Sequence, residues 1–234
     1  MAALKMPGMS PQARAFIERL KGEAITVPSA DNILQYRLET RASYVPTVKR
    51  AIEKYDLEVE DININGTPCL QVGSSNWSAH DGLCILYCYG GGMIEGSPYE
   101  DLIITTGLAH HLSARVVSVD YRLAPEHPYP AAQQDVGSVY PALLDRYGAS
   151  RLALAGESSG GNLALALMVQ LRDQKIELPC CAALFSPWVD LSSQGDSHQF
   201  NDDRDPTLNT AWVNAAARLY APNQALEDPA ISPL

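Results

Sequence analysis

Ser158 stands at the centre of Gly156-Glu157-Ser158-Ser159-Gly160, between the apolar run Leu152-Ala153-Leu154-Ala155 and the helix-forming stretch Gly161 to Met168. A serine on a strand-to-helix G-x-S-x-G turn is lifted out of the chain in a strained conformation, with its Oγ aimed at the helix N-terminus. The chemistry such a group performs is nucleophilic attack on a carbonyl. A hydroxyl is a weak nucleophile at neutral pH, so it needs donors for the developing oxyanion and a general base. The donors can be found upstream: Leu83 to Tyr89 reads as a buried strand ending in Gly90-Gly91-Gly92, where missing β-carbons let backbone N–H groups approach an oxyanion closely. The N–H of Ser159, next to the nucleophile, would be a further donor. A triple glycine or a bare G-x-S-x-G is also what a chance flexible loop contains; the flanking strand and helix favour the catalytic reading.

Four segments in order carry a resemblance: Tyr89-Gly90-Gly91-Gly92, Asp120 to Ala132 (DYRLAPEHPYPAA), Gly156 to Ala164 (GESSGGNLA) and Ser186 to Leu191 (SPWVDL). The chain from about residue 57 onward resembles the hormone-sensitive-lipase-like esterases, with a looser likeness before it. The resemblance implies an α/β-hydrolase fold, a mostly parallel central sheet flanked by helices with a helical cap, and a serine carboxylesterase acting on small esters of short to medium acyl chain without a cofactor. It also implies Gly91 and Gly92 beside Ser159 as oxyanion donors. Tyr89 replaces the usual first His of that glycine motif; because the donors are backbone groups, a changed loop anchor is expected. Glu157 stands where Asp is commoner and keeps the charge.

In that family a carboxylate and then a histidine follow the nucleophile. The chain stops at Asp228-Pro229-Ala230-Ile231-Ser232-Pro233-Leu234, and neither triad acid nor triad base occurs at a matching position. The expectation is that an Asp–His pair comes from outside these residues, for instance from a companion chain or a homodimer partner, and that the strand Cys181 to Phe185 is left as an unprotected sheet edge. Of the five histidines, His80 falls in a polar loop, His110 and His111 read as cations near a helix C-terminus, and His127 sits in a Pro-rich turn. His198, near Asp196, Asp202 and Asp203, is the least implausible substitute base. The alternative is a catalytically silent ligand-binding module or a fragment that keeps the pocket without the triad.

Other residues invite both readings. Met93, Ile94 and Trp188 could wall the substrate pocket or be ordinary core. Asp120, Arg122 and Glu126 read as structural, an Arg between two carboxylates ordering a loop. Ala124-Pro125 and Tyr129-Pro130 are candidate cis peptides. The five cysteines, Cys69, Cys84, Cys88, Cys180 and Cys181, have no metal spacing and read as free thiols.

The elements that must position these groups alternate strand and helix. Ser10 and Pro11 open a short amphipathic helix with Ala13, Phe16, Ile17 and Leu20 on one face and Gly22 as a stop. Residues 32–54 form a second helical stretch that Pro46 is expected to interrupt. Alternation from Leu57 to Ile64 and the Asn65-Gly66 turn predict a hairpin with Thr67 to Val72. Then come a helix near 98–112, a strand Arg115 to Val119, a helix 131–147 that Pro141 should bend or break, and helical character again at Ala211 to Leu219. The domain expectation is cap helices at 1–55, an α/β core at 56–189 and a cap insertion at 190–234.

With 234 residues, 46% of them hydrophobic, the chain can bury a substantial core. A net charge of −10 argues against nucleic acid and anionic membranes as partners. The first ten residues contain no apolar signal region and no run is long enough to span a bilayer, so the cytoplasm is the expected location.

Overall fold

The computed structural model describes residues 8–20, 25–77 and 82–234. Gly22 and His80 lie outside them. Ser10 caps α1 (Pro11–Leu20), its Oγ accepting the Ala13 N–H at 3.1 Å. No α1 side chain is buried, and Phe16 is exposed. Helix α2 (Ile33–Lys54) follows, then the hairpin β1 (Glu58–Ile64) and β2 (Thr67–Gly73) in the predicted register, with Ile64 opposite Thr67.

The rest alternates: β3 (Cys84–Cys88), α3 (Leu102–Leu112), β4 (Arg115–Val119), α4 (Ala131–Tyr147), β5 (Leu152–Glu157), α5 (Ser159–Asp173) and β6 (Cys181–Phe185). One six-stranded sheet results, in the order β1-β2-β4-β3-β5-β6. β2 pairs antiparallel with β1 and β4; β4, β3, β5 and β6 are parallel neighbours. This mostly parallel sheet is what strand–helix alternation dictates, because a parallel return needs a crossover. The central strands are continuous apolar runs: every residue of β3 is buried, as parallel strands covered on both faces require. Each fully buried aliphatic side chain contributes roughly 1.5–3 kcal/mol relative to exposure. Helix α2 packs on α3, and α4 on α5. Strand β6 lies at one edge of the sheet, opposite β1, and Cys181, Ala182, Ala183 and Phe185 on it are exposed.

Pro46 does not interrupt α2 and Pro141 does not break α4: both helices run through their internal prolines. A proline removes one hydrogen bond to the carbonyl four residues back. In α4 that loss is outweighed by burial of Val136, Val139, Tyr140, Leu143 and Tyr147 on either side of it. The Ala124-Pro125 and Tyr129-Pro130 bonds are both cis, as the sequence suggested. After β6 the chain forms α6 (Asp196–Asn201) and α7 (Thr210–Tyr220), the latter capped by the Asn209 side chain accepting the Trp212 N–H at 2.8 Å. Among the described residues no helix is long and apolar enough to cross a membrane.

Candidate active site

Ser158 sits between β5 and α5 with φ 50° and ψ −117°, a left-handed conformation that side chains other than glycine rarely adopt. The surroundings hold it there. Its N–H donates to the Phe185 carbonyl at 2.9 Å, and its own carbonyl accepts the Trp188 N–H at 2.9 Å and the Asn162 N–H at 3.3 Å. The end of β6 and the segment after it therefore pin the turn from one side. Gly160 completes it from the other, because a β-carbon there would collide with the carbonyls of Cys88 and Tyr89. The close approach of α5 to the end of β3 brings the serine turn against the glycine loop.

That loop leaves β3 through Gly90 and turns at Gly91 (φ 114°) and Gly92 (φ 63°). The Gly91 carbonyl accepts the N–H groups of Ile94 and Glu95 at 3.1 and 3.0 Å, and the Met93 N–H donates to Ser159 Oγ at 3.2 Å. Among the described residues the amides of Gly91 and Gly92 have no acceptor in the protein. The Ser159 amide, opening α5, is one of the helix's unpaired N-terminal donors. Unpaired N–H groups at a helix N-terminus beside a strained serine can stabilise an oxyanion.

Tyr89 anchors the loop. Its hydroxyl donates to the Tyr121 carbonyl at 3.2 Å, while the Tyr121 hydroxyl donates to the Tyr89 carbonyl at 2.8 Å. The two rings stack with centroids 4.1 Å apart and planes 5° from parallel. A carboxyl group sits on each side of this strand end. Asp101 accepts the Tyr87 hydroxyl at 2.8 Å and the Gly90 N–H, and burial lifts it to about 6. Glu157 fills the space beside Gly90; burial first, then the charge of Asp101, pushes it up to about 7. On the loop itself Glu95 is buried, which raises it to about 7 against the opposing pull of Thr40, Tyr36 and Arg37.

A cavity of about 310 Å3 opens over Ser158, walled by Trp188, His198, Leu208, Trp212 and Val213 among others. Of the three pocket residues read from sequence, Trp188 is a wall; Met93 and Ile94 are fully buried in the core and are not among the lining residues. Trp212 was missed. Its ring comes within 2.9 Å of where a Gly92 β-carbon would be, and its indole N–H donates to the Tyr36 hydroxyl at 2.8 Å. Nothing local in the sequence distinguishes it, since it reads as one apolar position of an amphipathic helix.

His198 faces the same cavity as Ser158, yet no hydrogen bond joins them among the described residues. His110 and His111 are exposed and cluster with Tyr55, and His127 is exposed on its turn. The reading of Arg122 as lying between Asp120 and Glu126 needs correction. Arg122 instead forms a two-pronged pair with Asp135 of α4, at 2.8–3.1 Å, because that helix starts directly after the loop and brings Asp135 back to it. Glu126 is taken by Arg37 of α2, a partner 89 residues away that no local pattern reveals.

Comparison with known proteins places this geometry. A family model described as alpha/beta hydrolase fold matches residues 85–234. An acetyl-hydrolase of Streptomyces hygroscopicus is 36% identical over 154 residues, 65% of this chain and 52% of that protein. An esterase of Acinetobacter venetianus is 36% identical over 152 residues, covering 64% and 50%. The chain thus spans about half the length of the curated relatives it matches. A hormone-sensitive lipase structure from a metagenome library superposes with a TM-score of 0.83 at 33% identity, covering 96% of this chain and 73% of that one. Esterase E25 gives 0.87 at 28% identity, covering 100% and 74%.

Proposed function

The chain belongs to the alpha/beta hydrolase fold family, on the branch of the hormone-sensitive-lipase-like esterases, and from that premise we propose that it is the nucleophile-bearing part of a serine carboxylesterase. The observation that carries the reading is Ser158 at φ 50°, exposed to a cavity at the N-terminus of α5 and beside two unpaired glycine amides. Ser158 Oγ attacks the ester carbonyl and its proton passes to a base. The tetrahedral oxyanion accepts hydrogen bonds from the amides of Gly91, Gly92 and Ser159. Collapse expels the alcohol and leaves an acyl-enzyme, which water then cleaves by the reverse route. The base and its orienting acid are assigned to an Asp–His pair from outside residues 1–234. In support, no described histidine is hydrogen-bonded to Ser158.

Helices α1 and α2 and the segment 190–234 are assigned to a cap; the walls that α6 and α7 give the cavity support this. A volume of about 310 Å3 bounded by two tryptophans suits short to medium acyl chains. The test is hydrolysis of p-nitrophenyl butyrate by the protein together with the residues that supply the Asp–His pair, wild type against Ser158→Ala. Turnover should fall at least about 10³-fold in the variant. Hydrolysis that survives the substitution sinks the assignment, and saturable ester binding with no turnover in either protein favours a silent binding module.

A further inference from the structure

Arg37 lies in the second turn of α2, and its guanidinium reaches three partners far along the chain. Its Nε donates to the Ile94 carbonyl at 2.7 Å. One terminal nitrogen donates to the Ala124 carbonyl at 2.7 Å, and the two together grip the Glu126 carboxylate at 2.8 Å each. The two bridged loops also touch directly, through the Ala124 N–H on the Met93 carbonyl at 2.9 Å. Ile94 closes the Gly91 turn, since its N–H is held by the Gly91 carbonyl. A force on the Ile94 peptide is therefore a force on the turn that aims the glycine amides.

The neighbouring residue reaches the same region through Trp212. The Tyr36 hydroxyl accepts the Trp212 indole N–H, and the Trp212 ring lies over Gly92, within 2.9 Å of where a β-carbon would be. Consecutive residues of one helix thus reach the loop directly at Ile94 and, through Trp212, next to Gly92. A planar five-donor fork suits this task, because it satisfies two carbonyls and a carboxylate at once; an ammonium is a point charge and cannot reproduce the fork.

We propose that Arg37 is a positioning residue of the glycine loop: by holding the Ile94 and Ala124 carbonyls it fixes the Gly91–Gly92 amides in place and makes α2 part of the catalytic framework. The catalytic half of this statement rests on the esterase reading. The mechanical half does not.

The experiment combines hydrogen exchange of the loop with kinetics, on the wild type, Arg37→Ala, Arg37→Lys and Glu126→Gln. Exchange of the Met93, Ile94 and Glu95 amides should quicken at least about tenfold in Arg37→Ala and less in Arg37→Lys. Glu126→Gln keeps both carbonyl bonds and should stay within about threefold of wild type. Amides of β3 and β5 serve as the unmoved reference. In Ser158-dependent hydrolysis, kcat of Arg37→Ala should fall about 10–100-fold with KM little changed, and Arg37→Lys should recover part of it.

Wild-type loop exchange in Arg37→Ala overturns the proposal. So does a Glu126→Gln variant as impaired as Arg37→Ala, which would reduce Arg37 to half of an ion pair. If Arg37→Ala does not fold, Arg37→Lys against Glu126→Gln makes the same distinction. If the wild type hydrolyses nothing even with the Asp–His pair supplied, the esterase reading falls, and loop exchange still decides whether Arg37 holds the loop.

Discussion

Ser158 and the carboxyl beside it show how a single position combines chemistry with a cost to stability. The positive φ of Ser158 is strain maintained by hydrogen bonds from the end of β6 and the segment after it. Glu157, immediately before, is half-buried near Asp101, and burial together with that charge pushes it up to about 7, well above an ordinary glutamate. A carboxyl raised on folding favours the fold while protonated. Its contribution is complete below its unfolded value of about 4.5 and is lost as pH rises through about 7. Glu157→Gln removes that loss. Its melting temperature should exceed that of wild type by about 2–4 °C at pH 8 and match it at pH 4. Thermal melts at the two pH values check this; an equal shift at both would show that Glu157 ionisation does not matter. The Ser158 turn and the triple-glycine loop were legible in the sequence because short-range turn geometry demands particular residue types at fixed offsets. The departure at Tyr89 was also informative: the expected new anchor is a pair of tyrosines, each donating to the other's backbone.

Elements were legible to the extent that their signals are local. Helix α4 and strand β4 fall where periodicity put them, and the hairpin turn at Asn65-Gly66 has the expected register. The prolines misled because a local rule on hydrogen bonding was set against packing that only the fold supplies. Arg37, Tyr36 and Trp212 were invisible for the same reason, as their partners lie 57 to 176 residues away. Helix α7 has a specific duty in this arrangement, bringing Trp212 over Gly92 and into the cavity wall. Trp212→Ala should open the pocket and shift preference from p-nitrophenyl butyrate towards the octanoate by about tenfold in kcat/KM. An unchanged ratio would mean that the acyl chain does not run past this wall.

At the scale of the molecule, an acidic chain of net charge −10 carries a sheet whose β6 edge pairs with no strand among the described residues. An open edge rich in small and apolar residues invites pairing with another copy. Ala183→Glu on that edge adds like charge to an already negative protein and should slow aggregation of the 1–234 chain severalfold, measured by light scattering at matched concentration. Equal rates would place the sticky surface elsewhere. The clasp made by α2 has a further consequence, in time. A ribosome adding about 5–20 residues per second delivers Trp212 about 9–35 s after Tyr36, its partner 176 residues earlier. Throughout that interval the helix that will steady the glycine loop has emerged first and must wait for everything it holds. Its exposed Leu34 and Leu38 then offer a nascent-chain chaperone an early place to bind.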